Sequence, residues 1–559
     1  MTDKKTQCKS LKTQAYQHYQ ANRLHQAGAL YHQACQLDPG DADAWYMVCY
    51  ICLLIQNLRG AEAAARQAIA IRPNHIDAHT VLGAALTAQH RYSQATPVLE
   101  QAIRLNKNNP AAYASLGSTQ LELGNPAAAM TCYRKAGKLE RNPRYHSNLL
   151  LTFNYFDNDD PLKIYEEHLC WGRLFAGPEQ KNRDYPNSCE PDRPLRIGYV
   201  SADLRNHPVA YFLEPLLSER DQEAFHVTCY ANVAAPDQLT GYLQQRADNW
   251  HNIFGMPDPQ VAQQIRNDRI DILVDLAGHT AGNRLQLFTL RPAPVQVTYL
   301  GYPNTTGLAA MDYRLTDARA DLPGETEQFY SEELVRLPGG FLCYRPPGDA
   351  PPVGPPPCEK NGYITFGSFN NLAKMTPEVI ATWAAILQQL PGSRLLLKTR
   401  AFVDPGARER YRIQFDAAGI EPDRVELREP AGTIGEHLIM YGDIDIALDT
   451  FPYNGTTTTC EALWMGVPVI ALAGKQHAGR VGVSLLSQVE RTAWIAYSPD
   501  DYIKRAVNLA RDLQDKPVPR GPLRSTVAAS ALCGAAEFTR TVELVYHEMW
   551  EAWCLSRAM

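Results

Sequence analysis

A run of small polar residues in the last quarter of the chain has the composition of a phosphate-binding turn. Residues 449–466 read Asp-Thr-Phe-Pro-Tyr-Asn-Gly-Thr-Thr-Thr-Thr-Cys-Glu-Ala-Leu-Trp-Met-Gly, directly after a strand-like segment. The threonines are predicted to open a helix, whose free N–H groups and positive dipole end would hold a diphosphate. The hydroxyls of Thr456, Thr457 and Thr458 would add donors, and Glu461 would accept from ribose hydroxyls. Ordinary N-capping is the alternative, but four threonines exceed what one cap requires.

Three further segments place reactive or close-packing groups just after predicted strands. Lys374 ends Phe-Asn-Asn-Leu-Ala-Lys and would neutralise a leaving phosphate; a solvated surface lysine is the alternative. His207 lies four residues after Asp203 and would act as a general base or a donor near neutral pH, unless its role is structural. The segment Leu300-Gly-Tyr-Pro303 would let backbone groups approach a sugar closely, or form a plain turn.

Two patterns with the residue types of metal sites are interpreted otherwise. Asp443 and Asp445 resemble a D-x-D metal motif, but they lie in a strand-like run, so their carboxylates need not face one ligand. Cys49 and Cys52 form a C-x-x-C within a helical repeat and have no second pair, which favours a buried helix face over zinc. We therefore expect no metal site.

Alternating strand and helix patterns predict the framework for these segments. They occupy 195–344 and 359–559, separated by the proline-rich residues 345–358, which cannot form a core. Such alternation implies two open, mostly parallel α/β lobes with a cleft at the carboxyl ends of their strands. The predicted strands are 195–201, 225–230, 270–276, 295–300, 363–367, 395–398, 425–427, 444–448, 469–472 and 494–496.

The first quarter of the chain repeats with a period of 34 residues. Blocks that begin at Leu11, Trp45, His79 and Tyr113 align small residues in two columns, Ala27/Ala61/Ala95/Ala129 and Ala34/Ala68/Ala102/Ala136. Small residues let paired helices approach closely, and the spacing resembles four tetratricopeptide repeats over 11–146. Residues 147–194 are mostly helical by pattern and are predicted to dock the array onto the lobes, with Trp171 and Phe175 as anchors.

Such an array usually offers a concave groove to an extended peptide, so a protein or peptide acceptor is the expected partner. The alternatives are a scaffold for oligomerisation, including a homo-oligomer, or a rigid spacer.

Bulk properties narrow the class of protein. A chain of 559 residues predicts two or three domains, and a net charge of -6 argues against nucleic acid as the main partner. The 13 cysteines lack a disulfide-framework spacing, which suits a reducing cytoplasm. No run approaches the roughly 18 apolar residues of a membrane span, so we expect a cytoplasmic protein without a membrane segment.

Together these features resemble the protein O-linked N-acetylglucosamine transferase family, including its Spindly branch. The resemblance follows the family's order through the repeats, Asn206-His-Pro208, Leu290–Gln296, Leu300–Pro303, Phe369–Lys374 and residues 449–466. It implies a two-lobed GT-B fold of Rossmann-like domains, and an inverting transfer from UDP-N-acetylglucosamine to protein Ser or Thr without metal or cofactor.

The resemblance also implies roles for single residues. Lys374 would bind the diphosphate, Thr456, Thr457 and Thr458 would cap it, and Glu461 would hold the ribose. Asn371 and His437 would lie near the nucleotide, while Leu300, Gly301 and Pro303 would line the acetamide pocket. His207 and Asp203 match residues with acid–base or positioning roles. The pocket around Leu300 and Tyr453 would decide the sugar.

Several positions depart from the animal enzymes, which have His in place of Thr456, Asp in place of Glu461 and Tyr in place of Ala373. These departures concern sugar and acceptor preference more than the fold. Transfer of fucose from GDP-fucose, as implied for the Spindly branch, is therefore the nearest alternative. A catalytically silent repeat scaffold, and a transferase acting on a glycan or lipid, are the others.

Overall fold

The computed structural model describes residues 2–156, 160–177 and 184–558. The chain forms two compact units, one of Met1–Leu149 with Arg400–Arg410 and one of Leu150–Thr399 with Tyr411–Met559. The short segment Arg400–Arg410, which sequence order places in the second lobe, belongs to the first unit. Its Asp404 carboxylate accepts hydrogen bonds from the backbone N–H and the hydroxyl of Ser93, at 2.8 and 2.9 Å.

The first unit consists of antiparallel helix pairs with the predicted repeat. The alanines of both 34-residue columns are fully buried. A Cβ on Gly83 would lie 2.3 Å from Leu99 Cγ, so a side chain there would separate the paired helices. Asp41 and Asn57 cap their helices by accepting from backbone N–H groups. The helices are α1 (Thr2–Gln20), α2 (Leu24–Leu37), α3 (Ala42–Leu54), α4 (Leu58–Ile71), α5 (Ile76–Ala88), α6 (Tyr92–Leu105), α7 (Pro110–Glu122) and α8 (Pro126–Leu139).

Two helices follow the repeats, α9 (Pro143–Phe153) and α10 (Pro161–Phe175). The predicted anchor Trp171 on α10 is buried, with its ring centroid 4.9 Å from that of His279 and 5.4 Å from that of Phe175. Parts of the segment predicted to be helical, residues 157–159 and 178–183, lie outside the described residues.

The first lobe is a seven-stranded parallel sheet of order β3-β2-β1-β4-β5-β6-β7. Its strands are β1 (Leu195–Ser201), β2 (Phe225–Ala231), β3 (Asn249–Asn252), β4 (Ile272–Asp275), β5 (Val295–Thr298), β6 (Tyr313–Thr316) and β7 (Glu333–Arg336). Its helices are α11 (Pro208–Ser218), α12 (Gln238–Gln244), α13 (Asp258–Asn267) and α14 (Leu285–Thr289).

The second lobe is a six-stranded parallel sheet of order β10-β9-β8-β11-β12-β13. Its strands are β8 (Thr365–Ser368), β9 (Arg394–Lys398), β10 (Val425–Arg428), β11 (Ile446–Leu448), β12 (Val469–Leu472) and β13 (Ile495–Ala496). Its helices, and those that follow them, are α15 (Cys358–Asn361), α16 (Pro377–Gln389), α17 (Pro405–Ala417), α18 (Ile434–Ile439), α19 (Thr457–Trp464), α20 (Val481–Gln488), α21 (Pro499–Asp515), α22 (Gly521–Ala528) and α23 (Ala535–Ala558).

The last helix departs from sequence order, which places it with the second lobe. α23 packs on the first lobe instead: Thr539 Oγ1 donates to the carbonyl of Pro215, and the hydroxyls of Tyr546 and Tyr199 are 3.3 Å apart. The apolar face of α23, with Val542 and Trp550, is buried in the same core as β1 and β5. Across the described ranges, no helix combines the length and the apolar character needed to cross a bilayer.

Candidate active site

The turn between β11 and α19 is organised around the buried carboxylate of Asp449. This carboxylate accepts from the backbone N–H groups of Thr450 and Gly455, at 2.9 and 2.6 Å. A Cβ on Gly455 would lie 2.5 Å from Thr458 Oγ1, so the turn requires glycine at this position. The helix that follows begins with its N-terminus at the carboxyl edge of the sheet, which is the usual place for an anion.

The threonines at the start of α19 differ in their bonding. Thr458 Oγ1 donates to Asn370 Oδ1 at 3.2 Å, which ties α19 to the loop after β8. Thr457 Oγ1 is buried, and no hydrogen-bond partner for it exists among the described residues. A buried hydroxyl without a partner carries a desolvation cost that a bound polar ligand would remove.

Lys374, in the loop after β8, places its ammonium group near the start of α19. Its side chain is held by the carbonyl of Asn454, 2.6 Å from Nζ, and by the ring of Tyr453, whose centroid is 4.0 Å away. Burial lowers the pKa of Lys374, and the nearby Asp449 carboxylate opposes that shift. Burial likewise raises the pKa of Asp449, opposed by its backbone hydrogen bonds and by Lys374. The buried Lys374 amine therefore lies near a buried carboxylate, which offsets part of the cost of burying its positive charge.

His207 lies at the start of α11, where its Nδ1 accepts from the backbone N–H of Val209 at 3.3 Å. The carboxylate of Asp203 is 3.7 Å from the same nitrogen, beyond hydrogen-bond distance. Burial raises the pKa of Asp203, while His207 and Arg205 oppose the shift. Because Nδ1 accepts, the neutral ring of His207 carries its proton on Nε2.

The loop after β5 depends on an unusual backbone. Leu300 has a φ of +73°, in the left-handed region that side chains other than glycine rarely adopt. Gly301 follows, and a Cβ at that position would lie 2.0 Å from the carbonyl oxygen of Leu276. Strain of this kind is concentrated at functional sites, and Leu300 and Gly301 line a cavity.

One cavity of about 360 Å³ brings most of the predicted residues together. Its lining includes His207, Leu300, Gly301, Pro303, Asn371, Lys374, Tyr453, Thr456, Thr457 and Thr458. Asp203, His437 and Glu461 do not line it. A larger cavity, of about 870 Å³, lies along β10 and the beginnings of β8 and β9, and it contains none of the residues predicted to bind the donor or to act in catalysis.

His437 and Glu461 instead form a polar cluster beside the cavity. Glu461 Oε2 accepts from Nε2 of His437 at 2.7 Å and from the hydroxyl of Tyr441 at 3.1 Å. Lys398, at the end of β9, contacts Nδ1 of His437 and lies 4.4 Å from the ring centroid of Phe369. Burial lowers the pKa of Lys398 to about 8, and Glu461 opposes the shift. Phe369 connects this cluster to the cavity, which it also lines.

Sequence reasoning missed several residues of the cavity. Tyr155, Thr280, Phe341 and His477 also line it, and the rings of Tyr155 and Tyr453 are 5.2 Å apart. His477 follows β12 closely, as the predicted residues follow their strands, so the same rule would have selected it. Its partner Asp321 could not be found this way, because the two lie 156 residues apart.

Within the described parts of the chain, no three His, Cys, Asp or Glu side chains converge as a set of metal ligands. Of the predicted D-x-D pair, Asp445 accepts from the backbone N–H groups of Cys358 and Thr365, and Asp443 contacts Arg428. The two carboxylates are therefore engaged separately.

Both the repeats and the two lobes match known protein families. The profile of glycosyl transferase family 41 matches residues 162–345 and 359–542, and that of the tetratricopeptide repeat matches 18–85 and 86–150. A solved lysine-to-methionine mutant of the Thermobaculum terrenum O-GlcNAc transferase superposes with a TM-score of 0.88 at 35% identity. It covers 92% of this chain and 98% of that one.

Curated plant proteins are similar to the larger part of the chain. The tomato (Solanum lycopersicum) protein named probable UDP-N-acetylglucosamine--peptide N-acetylglucosaminyltransferase SPINDLY is 45% identical over 411 residues, 73% of this chain and 44% of the relative. The Arabidopsis thaliana protein with the corresponding name SEC is 33% identical over 372 residues, 64% of this chain and 37% of the relative. The chain thus spans less than half the length of these relatives.

Proposed function

Because this chain belongs to glycosyl transferase family 41, we propose that it transfers N-acetylglucosamine from UDP-N-acetylglucosamine to Ser or Thr hydroxyls of proteins. One observation carries the proposal: the Lys374 amine and the start of α19, with the unpartnered hydroxyl of Thr457, line one cavity. That pair suits the diphosphate of a nucleotide sugar. The name of the tomato relative contains this donor, and the name of the bacterial relative contains the same transferred sugar, which supports the proposal.

The chemistry we propose is a direct displacement with inversion. The acceptor oxygen attacks the anomeric carbon while the bond to the β-phosphate oxygen breaks on the opposite face. The electron pair of that bond leaves with UDP, and the proton of the acceptor hydroxyl passes to an oxygen of the departing diphosphate. Negative charge grows on the diphosphate, where Lys374 and the N–H groups of α19 would stabilise it. These fixed positive groups would supply the charge that a metal ion supplies elsewhere, so no metal is required in this scheme.

The predicted carboxylate and histidine contribute differently to this scheme. A neutral His207 with its proton on Nε2 would donate a hydrogen bond to the acceptor or the sugar, rather than take a proton from it. Asp203, at 3.7 Å from His207, would stabilise the ring when it is charged. We therefore assign His207 a positioning role by hydrogen bonding, with Asp203 behind it.

The nucleotide would extend towards the polar cluster of His437 and Glu461. These side chains lie beyond Phe369, which lines the diphosphate cavity. The second carboxylate oxygen of Glu461, Oε1, would accept from a ribose hydroxyl. The repeats would hold the protein acceptor, as is usual for such arrays.

Transfer of fucose from GDP-fucose stays the second candidate, because the diphosphate contacts are common to both donors. Thermal unfolding with UDP, GDP, UDP-N-acetylglucosamine and GDP-fucose separates the two, since a ligand of the folded state stabilises the protein more as its concentration exceeds its Kd. We expect stabilisation by the uridine nucleotides and sugar addition to a peptide array with UDP-N-acetylglucosamine. A response to guanosine nucleotides alone would reverse the assignment in favour of fucose.

Replacement of Lys374 tests the proposed chemistry directly. We expect Lys374→Met to lower kcat at least about 100-fold, because removal of one preorganised charge donor typically has this effect. The methionine keeps the apolar stem over Tyr453, so the unfolding temperature should change little. Lys504→Met, on the exposed face of α21, is the matched control and should keep full activity. Wild-type turnover in the Lys374 variant would remove this residue from the mechanism.

A further inference from the structure

A second histidine of the cavity is held by a buried carboxylate. Nδ1 of His477 lies 2.7 Å from Oδ2 of Asp321, and the two side chains are only 3% and 0% exposed. Asp321 also accepts from the hydroxyls of Thr316 and, at 2.8 Å, of Tyr330. The carboxylate is therefore fixed from three sides, and it fixes the imidazole in turn.

The hydrogen-bond pattern assigns the proton of this ring. Asp321 is surrounded by hydroxyl donors and by Nδ1, so its carboxylate accepts and Nδ1 of His477 donates. In the neutral ring Nε2 is then an acceptor, and within the described chain no residue hydrogen-bonds to it. His207 has the opposite arrangement, because its Nδ1 accepts from Val209. With both rings neutral, the cavity thus contains one histidine that donates through Nε2 and one that accepts through it.

His477 lies between the segment around Tyr453 and the loop that contains Pro303, the two segments expected to surround the sugar. Its neighbour Ala478 accepts from the backbone N–H of Asn454 at 2.9 Å, next to Tyr453. On the other side, His477 and Pro303 together line both the 360 Å³ cavity and a smaller neighbouring one. The ring of Phe341 packs edge-on against the imidazole, with the centroids 4.9 Å apart. An acceptor nitrogen in these apolar surroundings suits a hydroxyl group.

We propose that His477, oriented by Asp321, accepts a hydrogen bond from a hydroxyl of the transferred sugar and thereby contributes to the choice of donor. The inference rests on the proposed function, because it requires a nucleotide sugar in this cavity. It places a sugar contact on the second lobe, opposite the loop Leu300–Pro303. Asp321 is a positioning residue in this scheme.

Binding of the nucleotide with and without its sugar tests the contact. We expect His477→Phe, which keeps an aromatic ring beside Phe341, to weaken the affinity for UDP-N-acetylglucosamine about 5- to 10-fold. The affinity for UDP should stay the same, because UDP lacks the hydroxyl. Calorimetric titration of the full-length protein measures both constants. An equal loss for UDP and the sugar nucleotide, or no loss for either, would overturn the inference.

Donor analogues that lack the 3-, 4- or 6-hydroxyl identify the group and exclude a merely structural effect. The wild-type protein should bind one of them about 5- to 10-fold more weakly than the parent donor, and His477→Phe should bind that analogue and the parent equally. Asp321→Asn, which lets an amide N–H face Nδ1, should lose the same discrimination. If the wild type binds no analogue more weakly than the parent, or the variants discriminate as it does, the contact is absent.

The same titrations separate this inference from the proposed function. The wild type is titrated with both UDP-N-acetylglucosamine and GDP-fucose, and the variants with the donor that binds. If neither donor binds, the proposed function fails and the inference with it. If a donor binds and the variants behave like the wild type, only the role of His477 is overturned.

Discussion

Adjacent threonine hydroxyls at the start of α19 have different partners, and this difference predicts different phenotypes. Thr457→Val removes a buried hydroxyl that has no partner in the described chain, so the free energy of unfolding should stay the same or rise by up to about 1 kcal/mol. The affinity for UDP should fall about 10-fold, since the hydroxyl would otherwise contact the diphosphate. Chemical denaturation and calorimetric titration measure the two quantities.

Thr458→Val provides the matched comparison. Its hydroxyl donates to Asn370, so the valine leaves a buried acceptor unsatisfied and should lower the free energy of unfolding by about 1–3 kcal/mol. The prediction for Thr457 is wrong if both variants lose the same stability, because its hydroxyl would then have a protein partner rather than a ligand.

At the scale of elements, the loop between β5 and β6 is set by the contact of Gly301 with the end of β4. Gly301→Ala would place a Cβ 2.0 Å from the carbonyl oxygen of Leu276, so the loop must move away from the sheet. We expect a loss of about 1–3 kcal/mol in unfolding free energy, and a rise in KM for the sugar nucleotide that exceeds any change in UDP affinity. Denaturation and steady-state kinetics test this.

Gly392→Ala is the control for that substitution. Like Gly301, Gly392 lacks a positive φ, but a Cβ there would meet no atom within 4 Å, so the crowding is absent. If both variants show the same kinetics, crowding against Leu276 does not position the loop.

The elements themselves could be predicted to the extent that their burial follows a simple period. The repeat helices were predictable because equivalent alanines, 34 residues apart in successive repeats, are buried. The strand β6 was not, because Arg314 stands in its centre. That guanidinium is buried and donates to the carbonyls of Tyr302 and Asn304, which no local pattern reveals. The polar edge strand β3, Asn-Trp-His-Asn, has no apolar alternation.

The residues of the candidate site were likewise predictable only where a local sequence pattern indicates their position. Groups that directly follow a strand, such as Lys374 and the threonines of α19, were predictable because parallel strands end at one edge of their sheet. Contacts between distant segments were not, and the pairing of His477 with Asp321 is the clearest case. The unbonded state of Thr457 also depends on tertiary packing rather than on its sequence neighbours.

At the scale of the whole molecule, the repeat unit contains a row of aromatic rings that suits an extended peptide. Centroids of Tyr16 and Tyr19 on α1 are 6.3 Å apart, those of Tyr19 and Tyr50 on α3 are 6.2 Å apart, and Tyr46 continues the row at 6.1 Å. Tyr16 is 49% exposed. Aromatic side chains of this kind often dominate the binding energy of protein interfaces.

If the repeats hold the protein acceptor, the double variant Tyr16→Ala/Tyr50→Ala should raise KM for a protein acceptor about 10-fold, because two aromatic contacts are removed. Transfer to a peptide of a few residues, too short to reach beyond the donor cavity, should keep its KM and kcat. Tyr497→Ala, which removes an exposed tyrosine of the other unit, is the control and should change neither. Steady-state kinetics with both acceptors decide the matter: equal effects on protein and short peptide would mean that the repeats do not select the acceptor through this row.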